Sequence, residues 1–581
     1  MMVDITINNV ETSVPDGTTI LEAAKSLGVH IPTLCHLDLH DIKMVNRVGT
    51  CRVCMVEVDG RRNLLPSCST TVSPGMKVYT NTKRAVSARR QIVELLLSNH
   101  PKECLSCERN QNCELQALAA ELGIREIHFK GPRLKTEKDS SSYSIVKNFE
   151  KCVLCRRCET MCNEIQTVGV YSPVHRGFDT VMGTAFDRKM LDTNCTFCGQ
   201  CVSVCPTAAL TETDDTSKVW DAINDPDKIV IAQTAPAIRV ALGEPFGLPV
   251  GTRVTGKMVS ALRKIGFDKV MDTDFAADLT IMEEASELIH RIRHGGRLPI
   301  LTSCCPAWVK FIEHQFPTLL DIPSTCKSPH EMFGAIAKTY LADKLGVAAD
   351  KIVVVSIMPC LAKKFEAKRD ELSGKTSGSD VDYVVSTREL ARMIREAGIN
   401  FVNLQDEDFD DVMGESTGAS VIFGTTGGVI EAAVRTAAAW LDKDNPNPEI
   451  DFTQLRGLEG VREAEVEIAG MKLNIAIAHG LGNARNLLTQ IRDGNVKYHA
   501  IEIMACPSGC VGGGGQPYHG NNIETLKKRA AAIYKEDEAK TVRRSHENLQ
   551  IKKLYDEFLG EPYGEKAHEL LHTHFSARDI L

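Results

Sequence analysis

Residues 502–517 read E-I-M-A-C-P-S-G-C-V-G-G-G-G-Q-P, with Cys506 and Cys510 four positions apart and a run of glycines after them. A zinc or rubredoxin-like knuckle has two residues between its cysteines and repeats the pair, and this segment does neither. A metal bound here therefore needs further ligands from distant parts of the chain. The glycines Gly512 to Gly515 allow the backbone to approach a bulky group where side chains would clash.

Two other segments carry cysteines in a similar setting. T-S-C-C-P-A-W begins at Thr302, and M-P-C-L-A-K-K-F-E begins at Met358. Apolar runs of the length of buried parallel strands precede all three cysteine motifs, at 298–301, 352–357 and 500–504. A proline beside each cysteine ends the run, because proline has no N–H for the sheet. Carboxyl ends of parallel strands share one edge, so a single iron–sulfur cubane is predicted there. Its predicted ligands are Cys305, Cys360, Cys506 and Cys510.

The three motifs together resemble those of the iron-only ([FeFe]) hydrogenases. The matching patterns are T-S-C-C-P-x-W, M-P-C-x-x-K-x-x-E and E-x-M-x-C-x-x-G-C-x-x-G-G-G-x-P. The resemblance implies an H-cluster, a [4Fe–4S] cube joined through a shared cysteine to a diiron centre with CO, cyanide and a bridging dithiolate amine. By position, Cys510 is the shared cysteine. The expected fold is an α/β catalytic domain of two parallel-sheet halves around the active site, preceded by α+β ferredoxin-like iron–sulfur domains.

Composition restricts the other possibilities. The chain has 581 residues, 68 basic and 76 acidic, and a net charge of −8, which argues against a nucleic-acid partner. Its 21 cysteines fall mostly in short C-x-x-C spacings and indicate metal ligands in a reducing compartment. There is no apolar run long enough for a membrane span and no signal at the start of the sequence. A cytoplasmic protein is predicted.

Residues 1–80 are predicted to form a plant-type [2Fe–2S] domain. Alternating Val3, Ile5 and Ile7 favour a strand, and a helix is expected from Thr19 to Leu27, ended by Gly28. A close cysteine pair between two distant ones is typical of such a cluster, with a zinc site as the alternative. The domain resembles the one shared by these hydrogenases and the large iron–sulfur subunit of respiratory complex I. The predicted ligands are Cys35, Cys51, Cys54 and Cys68.

Residues 81–125 are predicted to bind a [4Fe–4S] cluster through one histidine and three cysteines. An amphipathic helix over 84–98 runs into His100-x3-Cys104-x2-Cys107-x5-Cys113. A single histidine is seldom a ligand, but in this spacing the segment resembles a histidine-ligated segment of the same two families. Imidazole in place of thiolate brings less negative charge and should raise the cluster potential.

Residues 145–212, after a polar linker, contain a doubled bacterial-ferredoxin run for two [4Fe–4S] clusters. In such a run each cluster takes its fourth cysteine from the other half. One predicted set is Cys152, Cys155, Cys158 and Cys205. The other is Cys195, Cys198, Cys201 and Cys162.

The predicted catalytic domain spans 228–520 and is followed by a helical tail, 521–581, which resembles the small subunit of these enzymes. A strand over 228–233 ends at Ala235 and Pro236, which the resemblance places beside the diiron centre. Residues 421–428 are predicted to form a glycine-rich strand–helix turn, and Gly424 and Gly513 are assigned to cofactor binding. The histidines at 568–574 could indicate a metal, but they are interpreted as a solvated helix face and no site is assigned there. Cys326, with no counterpart in the motifs, is interpreted as a core thiol.

The remaining catalytic roles come from the resemblance. Cys304 lies beside Cys305 and faces the other way on an extended chain; in the family, this cysteine passes protons. Lys363 is assigned as a donor to a cyanide. Met358 and Met504 are assigned to packing beside the diiron centre, although core packing alone also explains them. A relay from Cys304 to the surface is assigned to Glu284, Ser324, Glu287 and Arg291; a solvated acidic helix face is the alternative.

The predicted function is reversible oxidation of dihydrogen or reduction of protons, and the domain order most resembles catalytic subunits of multimeric NAD(P)-linked, often electron-bifurcating hydrogenases. The sequence contains no G-x-G-x-x-G dinucleotide fingerprint, so a flavoprotein with FMN and NAD(P) sites and small [2Fe–2S] subunits are expected as partners, with ferredoxin. A stand-alone ferredoxin-linked hydrogenase is the main alternative. A non-catalytic electron-transfer subunit would not need Cys506, Cys510 and Lys363. A hydrogen sensor commonly has an altered relay cysteine or a signalling domain.

Overall fold

The structure, a computed structural model, describes residues 1–37, 48–373, 378–441, 450–495, 497–520 and 522–579. Residue 521, the predicted start of the C-terminal tail, lies outside this set. The chain divides into two compact units. The first comprises Met1–Glu164, Gly169–Met190 and Val204–Thr211; the second comprises Ile165–Val168, Leu191–Ser203 and Glu212–Leu581. No described helix combines the length and the apolar character needed to cross a membrane.

The first unit is built on a mixed five-stranded sheet of order β2-β1-β5-β3-β4. The alternation predicted for its first strand is confirmed, because Val3, Ile5 and Ile7 all point into the core. The strands of this sheet are β1 (Met2–Ile7), β2 (Val10–Pro15), β3 (Met55–Val58), β4 (Leu65–Pro66) and β5 (Lys77–Tyr79). Two-stranded sheets are formed by β6 (Ile145–Lys147) with β9 (Leu210–Glu212) and by β7 (Ser172–Val174) with β8 (Val181–Gly183), and β9 ends at the first residue of the next unit.

The helices of the first unit start where the sequence indicates. Thr19 caps the first helix through a capping box with Glu22, and Gly28 follows its end with a φ of +72°. The amphipathic helix over 84–98 is confirmed as α2, which buries Val93. The helices are α1 (Ile20–Ser26), α2 (Lys83–Asn99), α3 (Glu114–Glu121) and α4 (Arg157–Glu159).

The second unit contains two four-stranded sheets. One has the order β11-β10-β13-β14 and is entirely parallel, and the other has the order β12-β17-β16-β15 with only β15 antiparallel. Every residue of β13 and β17 is buried, so both strands are mostly apolar instead of alternating, with Ser356 and Glu502 as their polar residues. The strands are β10 (Ile229–Thr234), β11 (Lys269–Asp272), β12 (Ile300–Leu301), β13 (Ile352–Met358), β14 (Tyr383–Ser386), β15 (Val461–Ile468), β16 (Met471–His479) and β17 (Ala500–Met504).

Helices surround these sheets, and the predicted α/β class with ferredoxin-like domains is confirmed. The helices are α5 (Gln200–Val204), α6 (Thr216–Ile223), α7 (Thr255–Ile265), α8 (Thr273–His294), α9 (Pro306–Gln315), α10 (Pro329–Ile336), α11 (Ala342–Leu345), α12 (Ala362–Glu366), α13 (Thr387–Glu396), α14 (Gly418–Val421), α15 (Gly428–Leu441), α16 (Leu481–Arg492), α17 (Ile523–Ala539), α18 (Leu549–Leu554) and α19 (Glu565–Leu571).

One local prediction is wrong. Residues 421–428 do not contain a strand: Val421 ends α14, a 3₁₀ turn covers Ile422–Gly424, and α15 begins at Gly428. A short apolar run before a glycine fits a buried strand or the end of a buried helix equally well by periodicity alone. Here packing of α14 against α17 and α15 decides for helix.

Candidate active site

A cavity of about 80 Å³ lies at the carboxyl ends of four strands of the second unit. Strands β10 and β13 are neighbours in one sheet, and β12 and β17 are neighbours in the other. Both sheets therefore contribute the residues at or just after their strand ends to the same space. The predicted site residues that border it are Ala235, Pro236, Cys304, Cys305, Met358, Cys360, Lys363, Met504, Cys506, Cys510 and Gly513.

Gly424 does not border this cavity. A Cβ at Gly424 would lie 3.0 Å from the side chain of Ile533 and 3.6 Å from the backbone nitrogen of Ala237, so this glycine packs against α17 and the Pro236 turn. Its neighbour Phe423 borders the cavity instead. Sequence analysis also missed His330, which follows Pro329 in the first turn of α10 and borders the cavity. The only sequence signal is a proline-started helix, which carries no chemistry by itself.

The glycine run passes very close to other backbone segments. A Cβ on Gly513 would be 2.3 Å from the carbonyl oxygen of Pro359, and one on Gly514 would be 2.7 Å from that of Cys198. Contacts this short with backbone cannot be relieved by turning a side chain. The bulky neighbour predicted from the glycines is thus, at these two positions, protein backbone. The run holds the Cys506–Cys510 loop against the segments that carry Cys360 and Cys198.

The four predicted ligand cysteines are suited to a positively charged inorganic group. Burial raises the pKa of Cys305, Cys360, Cys506 and Cys510, the last to about 12. Neighbouring cysteine charges raise the pKa further at Cys360, Cys506 and Cys510. Thiolates gathered in a water-poor site are stable only with cations among them, so this donor set fits an iron–sulfur cube.

Lys363 borders the cavity and is held by a buried polar network. Its Nζ donates to the carbonyl oxygen of Cys304 at 3.1 Å and to Glu366 at 2.6 Å. His330 Nε2 lies 3.1 Å from Glu366, and its Nδ1 lies 3.0 Å from the hydroxyl of Ser356. Burial alone would raise the pKa of Glu366, but the charges of Lys363 and His330 lower it to about 2. Although burial favours neutral lysine, Glu366 raises the pKa of Lys363. The lysine is therefore a fixed ammonium beside the cavity.

The predicted relay residues lie together near Cys304. Ser324 donates its hydroxyl hydrogen bond to Glu287 Oε2 at 2.7 Å, and Arg291 Nη2 lies 2.5 Å from Oε1 of the same carboxylate. Burial, followed by the charge of Glu287, raises the pKa of Glu284 to about 8. Burial, followed by the charge of Glu284, raises the pKa of Cys304 well above its usual value. Although it was expected to face away from Cys305, Cys304 borders the same cavity.

The histidines near the C-terminus are not all solvated, and that expectation is wrong for His572. His572 is 9 % exposed; its Nε2 lies 2.9 Å from Glu283, and its Nδ1 lies 2.7 Å from the hydroxyl of Thr325. The C-terminal segment folds onto α8 and buries this ring, an effect of tertiary packing that its sequence pattern does not contain. Cys326 is buried as expected, yet its Sγ lies 4.0 Å from the carboxylate of Glu287.

The first unit gathers the other predicted cluster ligands. Cys54 Sγ and Cys68 Sγ are 3.3 Å apart, and Cys35 forms side-chain hydrogen bonds with Cys51 and Cys68. All four predicted [2Fe–2S] thiols are therefore close together and buried.

A second cavity in the first unit, of about 130 Å³, is bordered by His100 and by its three predicted partner cysteines. Among the described residues, Nδ1 of His100 is buried and has no hydrogen-bond partner, as suits a histidine whose ring serves a metal site. The predicted ligands that share this cavity are His100, Cys104, Cys107 and Cys113.

The doubled ferredoxin run contributes to both units. In the first unit, burial and then the charge of Cys205 raise the pKa of Cys152 to about 11, so these two thiols are neighbours. In the second unit, Cys198 lies close enough to Cys305 and Cys506 for their charges to interact. A cluster held by Cys198 would thus lie beside the cavity at the strand ends.

Comparison with known proteins identifies this architecture. Residues 228–514 match the C-terminal domain of the iron only hydrogenase large subunit, and residues 523–578 match the iron hydrogenase small subunit. The chain is 55 % identical to the NADP-reducing hydrogenase subunit HndD of Solidesulfovibrio fructosivorans over 586 aligned positions, covering 100 % of both chains. The chain belongs to the iron-only hydrogenases. It is also 39 % identical to iron hydrogenase 1 of Clostridium pasteurianum, covering 98 % of this chain and 99 % of that one.

A solved [FeFe]-hydrogenase from Chlamydomonas reinhardtii superposes on this hydrogenase with a TM-score of 0.57 and 41 % identity, covering 63 % of this chain and all of that one. The N-terminal part matches three further families. They are a 2Fe-2S iron-sulfur cluster binding domain at 1–83, the NADH-ubiquinone oxidoreductase-G iron-sulfur binding region at 89–128 and a 4Fe-4S dicluster domain at 141–209. The chain is thus an iron hydrogenase with [2Fe–2S] and [4Fe–4S] binding domains.

Proposed function

We propose that this hydrogenase exchanges electrons between dihydrogen and a nicotinamide-linked flavoprotein partner. Its H-cluster would be held by Cys305, Cys360, Cys506 and Cys510. The observation that carries the catalytic part is one cavity bordered by all four cysteines, by the thiol of Cys304 and by the ammonium of Lys363. The diiron centre, when bound, supplies the redox chemistry that interconverts dihydrogen with two protons and two electrons.

The chain itself would move the protons. Cys304 is a protonated thiol at neutral pH, because burial and the charge of Glu284 raise its pKa well above its usual value. Glu284, with a pKa of about 8, exchanges a proton near neutral pH at little free-energy cost. Ser324 connects to Glu287, and the partly exposed Arg291 holds that carboxylate at the outer end. We therefore assign these residues, in that order, to a proton route from the cavity to the surface.

Lys363 would orient and stabilise the anionic cyanide ligands. Its charge is permanent, because Glu366 raises its pKa against the effect of burial. A fixed ammonium forms a charge-assisted hydrogen bond with an anion and loses little entropy in doing so. Met358, Met504, Ala235 and Pro236 would exclude water from the same space.

Four accessory clusters would carry the electrons: one [2Fe–2S], one histidine-ligated [4Fe–4S] and two ferredoxin-type [4Fe–4S]. The spacing of the doubled run supports interleaved ligation, with Cys162 completing the set of Cys195, Cys198 and Cys201. The position of Cys198 near Cys506 supports that cluster as the immediate electron partner of the H-cluster.

The partner is inferred from the likeness to a subunit named as NADP-reducing and from the missing dinucleotide fingerprint. We propose a cytoplasmic complex with an FMN- and NAD(P)-binding flavoprotein and small [2Fe–2S] subunits, with ferredoxin as a second electron partner in bifurcation. A stand-alone, ferredoxin-linked enzyme is the second candidate, since the chain is also similar along nearly its whole length to iron hydrogenase 1, which is not named as a subunit.

The decisive experiment uses the full chain carrying its clusters and the diiron centre. Hydrogen evolution is measured with reduced viologen, reduced ferredoxin, NADH and NADPH, alone and after adding the flavin-bearing subunit from the native complex. We expect viologen or ferredoxin to suffice for the chain alone, and nicotinamide to work only with that subunit. Nicotinamide-dependent evolution by the chain alone would contradict the proposed division of labour.

The accessory clusters are tested by iron content and by substitution. The assigned sets require about 20 iron atoms, and about 18 when the diiron centre is not inserted. His100→Cys should keep its cluster and lower its potential, because thiolate adds negative charge to the iron. His128→Cys, at an exposed position of the same unit, is the matched control and should shift no cluster. Unmoved potentials in redox titration of His100→Cys would exclude His100 as a ligand.

A further inference from the structure

A second group of metal-ligand side chains lies beside the proposed proton route. Glu287, Cys326 and His572 are all buried, and one ligand atom from each lies within 4.8 Å of the other two. They come from α8, from the segment before α10 and from the segment after α19. None of the three belongs to the proposed iron–sulfur ligand sets. Cys326 is also the one cysteine to which the proposed function gives no role.

Backbone pairing fixes two of these side chains relative to one another. Cys326 and His572 face each other in an antiparallel bridge. Lys327 donates its N–H to the carbonyl oxygen of Leu571 at 2.8 Å, and Thr573 donates to that of Thr325 at 2.7 Å. The thiol and the imidazole are therefore placed by hydrogen-bonded main chain on both sides, and a ligand would not need to order this segment.

The same oxygen of Glu287 that accepts the Ser324 hydroxyl faces the thiol. Ser324 Oγ lies 2.7 Å from Glu287 Oε2, and Cys326 Sγ lies 4.0 Å from it. The other oxygen of this carboxylate is held by Arg291. A cation on Oε2 would compete directly with the serine hydroxyl and interrupt the route at that point.

The charges near His572 also favour a cation. Its Nε2 contacts Glu283 at 2.9 Å, and its Nδ1 contacts Thr325 at 2.7 Å. Metal ligation replaces one of these hydrogen bonds, and the other then fixes the ring, as in many histidine metal sites. If the metal replaces the contact with Glu283, that carboxylate stays close and offsets part of the cation's charge.

We propose that Glu287, Cys326 and His572 bind one divalent cation of intermediate softness, for which Zn²⁺ is the best fit, and that this cation blocks proton transfer. One carboxylate, one thiolate and one imidazole are the ligand types that zinc combines, whereas Mg²⁺ demands oxygen ligands in octahedral geometry. Ligand atoms around tetrahedral zinc lie about 3.5 Å apart, so small side-chain rotations complete the site. On binding, the thiol proton leaves to solvent and no electron moves.

A second buried trio shows why this one is preferred. His330, Glu331 and Glu366 also have ligand atoms within 4.8 Å of one another. They include no thiol, and the Lys363 ammonium lies 2.6 Å from Glu366, where it repels a dication. The trio of Glu287, Cys326 and His572 includes a thiol. The Arg291 guanidinium beside it contacts Oε1 of Glu287, the carboxylate oxygen that does not face the thiol.

The test measures zinc binding and turnover separately on the full holoenzyme. Wild type, Cys326→Ala, His572→Asn and His574→Asn are equilibrated with buffered Zn²⁺ or Mg²⁺. Elemental analysis measures the metal bound per chain, and hydrogen evolution with reduced viologen measures turnover. We expect wild type to bind one zinc ion more than Cys326→Ala and to lose activity when that zinc ion binds. The half-inhibiting zinc concentration should rise at least tenfold in Cys326→Ala and His572→Asn. Mg²⁺ should not inhibit.

His574→Asn is the matched control, since this exposed histidine lies two positions from His572 in the same segment and outside the trio. It should behave as wild type. Equal zinc binding by wild type and Cys326→Ala, or unchanged zinc sensitivity in both trio variants, would overturn the proposal. The inhibition of proton transfer by zinc rests on the proposed role of Glu287 in that transfer. Zinc bound at Cys326 without inhibition would support the site and contradict that role. If wild type binds no zinc here but Glu287→Gln is inactive, the role is supported and the site is contradicted.

Discussion

Two buried polar chains meet at Cys304, and their carboxyl groups have opposite properties. On one side Glu284 leads through Ser324 and Glu287 to the partly exposed Arg291. On the other side Lys363 leads through Glu366 and His330 to Ser356 and ends inside the core. Burial of Glu284, without a cation beside it, raises its pKa to about 8, whereas the pKa of Glu366 is lowered to about 2.

The same residue type can therefore exchange protons at one buried position and hold a lysine in place at another. Burial without a counter-charge keeps a carboxyl neutral, so that it exchanges protons near physiological pH. At Glu366, burial against the Lys363 ammonium and His330 keeps the carboxylate ionised, so that it holds the lysine in place. We infer that the first chain moves protons and that the second positions charge.

The largest effect is expected at the point where the two chains meet. Cys304→Ala should lower hydrogen evolution by about 10³–10⁴-fold, because the thiol carries the proton and binds no iron. Iron content and the infrared bands of CO and cyanide should remain. Cys304→Asp should recover part of the activity, since a carboxylic acid also relays protons. Normal turnover in the alanine variant would remove Cys304 from the route.

Glu366→Gln should break the clamp. Lys363 would keep a buried charge without its carboxylate, which typically costs about 3–5 kcal/mol of stability. Thermal unfolding of the full chain, followed by circular dichroism, measures the loss. Glu284→Gln is the matched control and should change stability by about 1 kcal/mol or less, because it replaces an acid that is already neutral. Equal destabilisation of both variants would abolish the distinction between clamp and carrier.

Glu284→Gln should instead break the carrier. Turnover should fall by about 10²-fold, since an amide of the same shape cannot exchange a proton. Hydrogen evolution with reduced viologen measures the loss, and EPR of the accessory clusters should be unchanged. The matched Ser324→Ala variant removes the next group of the chain and should produce a loss of similar kind. Full activity in both variants would require a different proton route.

The smallest effect is the pH dependence of stability. Between about pH 4.5, the ordinary pKa of glutamate, and about pH 8, the folded chain holds a proton on Glu284 that the unfolded chain has released. Stability must therefore fall as pH rises through this window, by at most about 1.4 kcal/mol per unit. Glu284→Gln should flatten this part of the profile between pH 6 and pH 8.

Glu366→Gln supplies the control for that measurement. Glu366 is ionised in both folded and unfolded chains over pH 6–8, because its folded pKa is about 2. Its substitution should lower stability and removes no titration of its own from this range, so any change in slope comes from His330 and Lys363, whose pKa values Glu366 raises. A slope that survives in Glu284→Gln, measured by thermal unfolding at several pH values, would show that another group binds the proton.

The predicted ligands of two metal sites border shared cavities, because the spacing of metal ligands in sequence is constrained. His100, Cys104 and Cys107 lie close in sequence and share one cavity. Cys305, Cys360 and Cys506 are distant in sequence, but each follows a buried strand, and the topology of parallel sheets brings such ends together. The interpretation of residues 421–428 failed because a short apolar run does not distinguish a strand from a helix.

What the sequence alone determined is therefore the kind of chemistry: the cysteine patterns, the apolar strands before them and the family. Tertiary structure decided the pKa of each buried acid, because a carboxyl pKa depends on burial and on the nearest charges. Glu284 and Glu366 are both buried glutamates, but the nearest charge to Glu284 is a second carboxylate, whereas Lys363 and His330 lie beside Glu366. It also decided the place of His572, whose helix pattern indicated solvent, but which folds against Glu283 beside Cys326. Such contacts join residues hundreds of positions apart, and no local pattern encodes them.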